Sequence, residues 1–389
     1  MNRKKLDFFF KYLFGGVSLV SVLALGTILL FVLTQGGAPF FLPTAPDIRI
    51  VAEGISEITV NDTVYPDHTG FIHIPKNTEK VLLRFAGKDR DRVLAFDVKP
   101  KDAPEFTEYD GGTLSNPEKY VYTVTYPGIM PGLSQKVHII VPEPPYRLTA
   151  FLTGLDWRPT YNKVYGILPM IAGTLLVSFG AILLGLPIAL LGSLFLAEFM
   201  PEKPALIVRS GIEILAGIPS VVYGFFGLMV IVPQVKQMFQ APSGNGLFSA
   251  SLVLSVMILP TVITIAETSL RAVPSSNREA SLSLGASKMQ TLWFVVLPHA
   301  HSGVIAGIIL GISRAVGETM AVILVAGNSS QMPHALTDSV RTLTATIALE
   351  MGYAQGRHSE MLFSIGVTLF ALILGLNGVI LWIRRQTED

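Results

Sequence analysis

Six stretches of the chain are apolar for long enough to cross a lipid bilayer as helices: Leu13–Leu33, Ile167–Phe195, Ile214–Pro233, Leu247–Ala266, Ser302–Val325 and Met361–Ile383. Each holds at least ~18 mostly apolar residues, the length at which a helix spans the hydrocarbon core. Only the fifth carries charges inside it. Glycine and proline recur within the runs, as at Gly173, Pro187, Gly217, Pro260 and Gly311. Membrane helices tolerate them, and small residues let helices approach closely. Ile218-Pro219 predicts a bend in the third span. The pattern predicts an all-α polytopic membrane core.

The pattern changes between the first and second spans. Alternating or β-branched runs occupy Ile48–Ala52, Glu57–Val60, Phe71–Ile74, Lys80–Phe85, Val93–Val98, Lys119–Tyr126 and Lys136–Val141. Turn residues divide them at Asn61-Asp62, His68-Thr69-Gly70, Asp110-Gly111-Gly112 and Pro131-Gly132. Roughly seven short strands at this spacing predict a small all-β sandwich. Val141-Pro142-Glu143-Pro144-Pro145 is the expected exit linker. The predicted organisation is a tail and first span over 1–34, a β-rich insertion over 35–163, and a core of five spans over 164–389.

Charge orients this arrangement. Residues 35–163 hold more than half of the charged residues, although charged residues make up only 15% of the chain. Soluble domains carry about a quarter. The even-numbered crossings put both termini on one side, with Arg3, Lys4, Lys5, Lys11, Lys203, Arg209, Arg271, Arg278, Lys288, Arg384 and Arg385. The two short loops opposite carry only Lys236, Arg341 and Arg357. Lysine and arginine mark the cytoplasmic side, so both termini and the 267–301 loop are expected there, and the insertion outside. The first run is too long for a signal-peptide core and reads as an uncleaved span.

Several function classes drop out. A net charge of +1 gives no basic surface for nucleic acid. There are no cysteines, hence no disulfides, thiolate metal sites or cysteine nucleophiles. No Gly-x-x-x-x-Gly-Lys-Ser/Thr loop occurs, so the chain is not expected to hydrolyse ATP. His299 and His301 flank Pro298 without carboxylates at ligand spacing, which favours an interfacial pair over a metal site. No catalytic residues, metal or cofactor are expected.

The 267–301 loop carries the most specific motif. Ser275 or Ser276 is placed to cap a helix with Glu279 in its first turns. Gly285 ends that helix, and a second leads to Pro298. The spacing resembles the EAA loop of ABC importer permeases: Glu-Ala-Ala, three residues, glycine, nine residues, isoleucine, one residue, Leu-Pro. Here those positions are Glu279, Ala280, Ser281, Gly285, Val295, Leu297 and Pro298. Ser281 and Val295 depart from the family letters but keep their small and aliphatic character. The resemblance implies a lever that docks on a separate ATPase subunit.

The fifth span reads Gly311-Ile312-Ser313-Arg314-Ala315-Val316-Gly317-Glu318-Thr319. Arg314 lies about 18 Å from the span's start at 1.5 Å per residue, near mid-membrane. A charge there costs roughly 2.5–3.5 kcal/mol on insertion scales and marks a functional site by default. Arg314 and Glu318, four apart, are expected on one helix face. The arginine fork suits phosphate oxygens. An ionised Glu318 accepts a hydrogen bond that a protonated phosphate offers and sulfate at neutral pH does not. The competing reading is a buried ion pair that fixes register or a gate. Ser220 and Tyr223 either line the same pore or pack. Arg209 and Glu213, also four apart, are expected to pair at the cytoplasmic interface.

The segments Leu168–Ser178, Ile214–Leu228, Arg314–Asn328 and Leu343–Gly352 together resemble the phosphate permease family, closer to its PstC-type than its PstA-type subunit. The resemblance runs from about Tyr165 to Asn377 and leaves out the insertion. It implies a MetI-like type I importer core, with Arg314, Glu318 and Thr319 on the pore helix. It also implies a PstA-type partner permease, a PstB-type ATPase dimer and a PstS-type phosphate-binding protein in a bacterial cytoplasmic membrane. Two other readings remain open: a permease for another oxyanion such as molybdate or phosphonate, and a membrane receptor or scaffold whose outer β domain binds a ligand.

Overall fold

The computed structural model describes residues 19–42, 145–160 and 163–382 with their side chains, and the backbone elements of 3–18, 383–388 and the strands between 47 and 140. It is mostly helical. Among the described residues six helical stretches are long and apolar enough to cross a membrane: Leu19–Phe41, Leu168–Phe199, Ser220–Phe239, Leu247–Arg271, Lys288–Gly317 and Arg357–Trp382. Their outward faces are apolar, with Leu25, Phe179, Leu183, Leu191, Leu374 and Trp382 all exposed. So much contiguous exposed hydrocarbon suits lipid rather than water.

Two compact units divide the chain. The first comprises Met1–Phe151, Arg158–Tyr165 and Ala354–Ser364; the second comprises Leu152–Trp157, Gly166–Tyr353 and Ile365–Asp389.

The first unit opens with helix α1, Arg3–Phe41. Ten strands follow: β1 Asp47–Val51, β2 Glu57–Val60, β3 Thr63–Pro66, β4 Gly70–His73, β5 Lys80–Phe85, β6 Arg92–Asp97, β7 Glu105–Tyr109, β8 Thr113–Glu118, β9 Val121–Pro127 and β10 Ser134–Ile140. They form two five-stranded sheets, ordered β4-β1-β10-β9-β8 and β3-β2-β5-β6-β7. Pairing is antiparallel, with Ile48 opposite Ile139 and Leu83 opposite Leu94. The expected turns at Asn61-Asp62, Asp110-Gly111-Gly112 and Pro131-Gly132 and most of the proline linker lie outside the described residues.

The end of α1 is tied down within this unit. Arg357 is buried and donates to the carbonyls of Pro39 (2.8 Å) and Leu42 (3.4 Å). Pro39 is in the last turn of α1 and Leu42 just beyond it, and a guanidinium is a favourable cap for such carbonyls. Ser364 donates to the Gly36 carbonyl at 2.8 Å, and Phe31 meets Phe363 edge-on with centroids 5.6 Å apart.

The remaining elements are α2 Leu148–Thr153, the two-residue strands β11 Trp157–Arg158 and β12 Val164–Tyr165, α3 Leu168–Leu194, α4 Glu202–Gly217, α5 Ser220–Phe226, α6 Val232–Phe239, α7 Leu247–Arg271, α8 Ser275–Ser283, α9 Lys288–Thr291, α10 Leu297–Gly317, α11 Met320–Val325, α12 Leu343–Glu350 and α13 Arg357–Glu388. Wide π-turns at Phe195–Phe199, Gly227–Ile231 and Leu292–Val296 extend α3, join α5 to α6 and join α9 to α10.

In the second unit α7 is the central helix, packed on α3 and α10. Its buried face is built of Ser249, Ala250, Val253, Leu254, Met257, Ile258 and Val262. Serines serve here because each finds a backbone partner: Ser249 donates to the Gly244 carbonyl (2.6 Å) ahead of the helix, and Ser251 donates to the Leu247 carbonyl (2.9 Å) and lies 3.3 Å from the Val177 carbonyl of α3.

Two predicted spans are corrected. The third does not run from Ile214 as one bent helix. It breaks at Ile218-Pro219, leaving α4 outside the apolar stretch. Ile218 is extended (φ −68°, ψ 128°), as the residue before a proline prefers. The fifth does not reach Val325. It ends at Gly317, and Glu318 turns to an extended conformation (φ −68°, ψ 137°) before α11 begins.

Candidate functional site

The two broken helices meet. Gly224 of α5 faces Ala321 of α11 so closely that a Cβ there would stand 2.8 Å from the Ala321 Cα. Tyr223 is buried in the same apolar cluster as Ala315, Ala321 and Val322. Its hydroxyl donates to the Leu215 carbonyl at 2.8 Å, across the Ile218-Pro219 break. That carbonyl belongs to the last turn of α4 and also accepts the N–H of the C-cap residue Ile218 (3.2 Å).

Arg314 occupies the last turn of α10, where a cation suits the helix dipole. It is half-buried. Its Nη1 donates to Thr261 Oγ1 of α7 at 2.9 Å. Among the described residues no carboxylate lies within ion-pair distance of it. A guanidinium has five N–H donors, so most of this one's capacity stays open.

Glu318 sits beyond the helix end, so the two charges do not share a helix face as expected. They form no ion pair either. Glu318 Oε1 accepts the Ala321 N–H (3.2 Å) in the first turn of α11. Its carbonyl accepts from the Thr344 hydroxyl of α12 at 2.7 Å. Thr319 is the N-cap residue of α11, with its hydroxyl 3.3 Å from the Gly317 carbonyl. Ser220 starts α5, half-buried and not hydrogen-bonded to Arg314 or Glu318. The structure thus gathers Arg314, Glu318, Thr319 and Tyr223 around two breaks, with Ser220 at the edge. Sequence reasoning missed Thr261 and Thr344. A threonine on an apolar helix ordinarily bonds back to its own helix, and nothing in its neighbours signals a guanidinium partner.

Outside the spans, Glu350 is buried and accepts from Arg341 Nη1 (2.8 Å) and Trp157 Nε1 (2.9 Å), while Arg341 Nε holds the Asn328 carbonyl (2.8 Å). Asp338 accepts the N–H groups of His334 (2.8 Å) and Ala335 (2.9 Å), which hold its carboxyl below the usual range.

The 267–301 segment is a second candidate site. α8 begins at Ser275 after Pro274, and neither Ser275 nor Ser276 supplies the expected side-chain cap. Gly285 does end the helix. It stands in the left-handed region at φ +86°, donates to the Leu282 carbonyl (2.9 Å), and Ala286 donates to Ser281 (3.3 Å). This is a Schellman stop, which favours glycine. Ser287 then opens α9 through a capping box with Gln290. Ser281 bonds Thr291 hydroxyl to hydroxyl at 2.9 Å, tying α8 to α9. Pro298 follows the π-turn and has no N–H for the Phe294 carbonyl four residues back. Glu279 and Ala280 are exposed, and so are Leu282, Leu284 and Phe294. Val295 and Leu297 are partly covered.

Arg209 does not pair with Glu213. It reaches Glu267 of α7 at 2.6 Å and Glu202 at 3.5 Å, and Arg271 shares Glu267 at 3.0 Å. Among the described residues there is no group of three potential metal ligands.

An apolar multi-helix core, broken helices that bring a cation into the span and a protruding helical elbow define the membrane-embedded half of a transporter. Residues 182–388 match the model of the binding-protein-dependent transport system inner membrane component, and the chain belongs to that family. Its members are the non-catalytic membrane subunits. A probable ABC transporter permease protein, YqgH of Bacillus subtilis, is 39% identical over 57% of this chain and 73% of its own length. The phosphate transport system permease protein PstC of Pasteurella multocida is 36% identical over 57% and 75%. Among solved structures, a chain of the MetNI methionine ABC transporter covers 57% of this chain and 92% of its own at 21% identity, with a TM-score of 0.40, too low to bear on substrate or state.

Proposed function

We propose that this chain is the PstC-type permease subunit of an ATP-driven importer that carries inorganic phosphate across the cytoplasmic membrane. The observation that supports it best is Arg314: a half-buried guanidinium inside a membrane span, held by Thr261 and without a carboxylate partner among the described residues. A permanent cation kept in lipid without a counter-ion is costly, and an anion in transit is the natural occupant. Several relatives named as phosphate permeases, 31–36% identical, add to this reading.

The cycle follows from the parts. A PstS-type binding protein delivers phosphate on the outer side, where the β-rich insertion lies between spans one and two. A PstB-type ATPase dimer docks on the cytoplasmic elbow, with Glu279 and Ala280 exposed beside the Gly285 stop, and both termini on the same side. Closure of the ATPase moves this chain and its PstA-type partner, so that the pore opens outward. Phosphate passes Arg314, which offers its open N–H donors. Glu318 accepts a hydrogen bond from the hydroxyl that monohydrogen phosphate still carries. The pore then reopens inward.

Labelled-phosphate uptake by the whole transporter, with sulfate and molybdate as competitors, tests the substrate. Uptake that neither competitor reduces supports phosphate. Uptake abolished by molybdate moves the assignment to another oxyanion. Glu318→Gln leaving the phosphate-over-sulfate preference unchanged sinks the role given to that carboxylate.

A further inference from the structure

We infer that Arg278 and Glu198 form the strut that carries motion of the α8 elbow into the membrane spans; this rests on the elbow's coupling role proposed above. Arg278 lies on α8, one residue before Glu279. Its Nε and Nη2 both reach Glu198 Oε1, at 3.2 and 2.8 Å. The same guanidinium donates to the carbonyls of Leu270 (2.7 Å) and Val273, where α7 runs out. Glu198 belongs to the π-turn that ends α3. One side chain therefore bolts α8 to the cytoplasmic ends of both α3 and α7, the most closely packed helix pair of the unit.

The geometry suits force transmission. A planar guanidinium engaging several acceptors resists both translation and rotation, whereas a single ammonium contact does not. Both side chains are largely sheltered, at 22% and 18% exposure, so solvent screens the pair less than a surface bridge.

The neighbouring charges act on the spans rather than on the elbow. Glu267, 7% exposed, joins Arg209 of α4 to Arg271, and Arg271 Nη2 holds the Leu196 carbonyl of the same π-turn at 3.1 Å. That cluster binds α3, α4 and α7 to one another and makes no hydrogen bond or ion pair with α8 among the described residues. Arg278 is the elbow's polar link to them. α8 also lies close to α9 and its π-turn, where Ser281 bonds Thr291. Val273 closes the joint, buried against Leu270 and Val296. Without the strut, α8 keeps its own fold, its Schellman stop and its exposed face, but loses its grip on α3.

The predicted phenotype is uncoupling. In proteoliposomes holding the complete transporter, Arg278→Glu and Glu198→Arg are each expected to cut phosphate taken up per ATP hydrolysed at least tenfold. ATPase subunit content and basal hydrolysis stay within twofold of wild type. The double exchange is expected to recover a substantial part of the ratio, a result that loss of packing alone would not give. Should either charge reversal fail to assemble, Arg278→Lys and Glu198→Met take its place, the first removing the guanidinium fork and the second the acceptor oxygens at similar volume. An uptake-to-hydrolysis ratio at wild-type level in every variant overturns the proposal, and so does a loss of uptake that merely follows loss of bound ATPase. Stimulation of hydrolysis by the binding protein is read in parallel, as it reports coupling whatever the substrate. If the wild type shows that stimulation without phosphate uptake, the substrate assignment fails while the strut is still tested.

Discussion

Arg314 was visible in the sequence because it breaks an otherwise apolar run, and any charge at such a depth needs a reason. Its setting was not. Periodicity offers only same-helix neighbours, so it proposed Glu318 for Arg314 and Glu213 for Arg209. The fold instead supplies Thr261 and Glu267, 53 and 58 residues away. At this scale Thr261 is the informative position. Removing its hydroxyl leaves the guanidinium in place but unaimed, and one neutral hydrogen bond to a charged group is worth about 1.5–3 kcal/mol. Thr261→Val should therefore raise the half-saturating phosphate concentration about tenfold or more, with Thr261→Ser near wild type. Uptake titrations of the two variants check this, and equal kinetics for both would show that Thr261 does not aim Arg314.

Elements were legible wherever a local rule governed them. Six apolar runs gave six membrane helices. Gly285 ends α8 as its position in the loop suggested, and its φ of +86° explains why. The helix breaks were harder. Pro219 announced a disturbance, yet its effect is full separation of α4 from α5. Gly317-Glu318 gave no warning, because Met320 to Val325 continues the apolar pattern. The Ser287-x-x-Gln290 capping box was readable and went unread. Two substitutions test how the elbow is built. Gly285→Val forces a β-branched residue into the left-handed region at a cost of at least about 1–2 kcal/mol. It should lower ATP-coupled uptake while leaving the membrane core's thermal unfolding unchanged. Ser287→Ala removes the α9 cap, a loss of about 1 kcal/mol, and should produce a weaker form of the same defect. A fall in core stability with either variant would mean that the elbow and the spans unfold together.

The whole molecule combines a membrane core that belongs to a known transport family with a charged segment that the family match does not include. What the sequence said about sidedness came from lysine and arginine counts alone. The absence of cysteine makes it directly testable. Single cysteines placed at Ser276 and at Thr113 should react with a membrane-impermeant maleimide from opposite sides: Thr113→Cys in intact spheroplasts, Ser276→Cys only after permeabilisation. Labelling of both from one side would invert or dismantle the six-crossing topology. The fold around the pore was less readable than the crossings. Close approach of α5 and α11 at Gly224 and Ala321 is a property of tertiary packing that one span's pattern does not contain.

The central claim is that an anion crosses the membrane past an arginine that has no carboxylate partner among the described residues. The most direct measurement is labelled-phosphate uptake by cells carrying the complete transporter, comparing wild type with Arg314→Gln at matched membrane expression. The account predicts that uptake falls to background in the variant while the subunits remain assembled. Uptake at the wild-type rate in Arg314→Gln would contradict it and leave Arg314 as a structural residue.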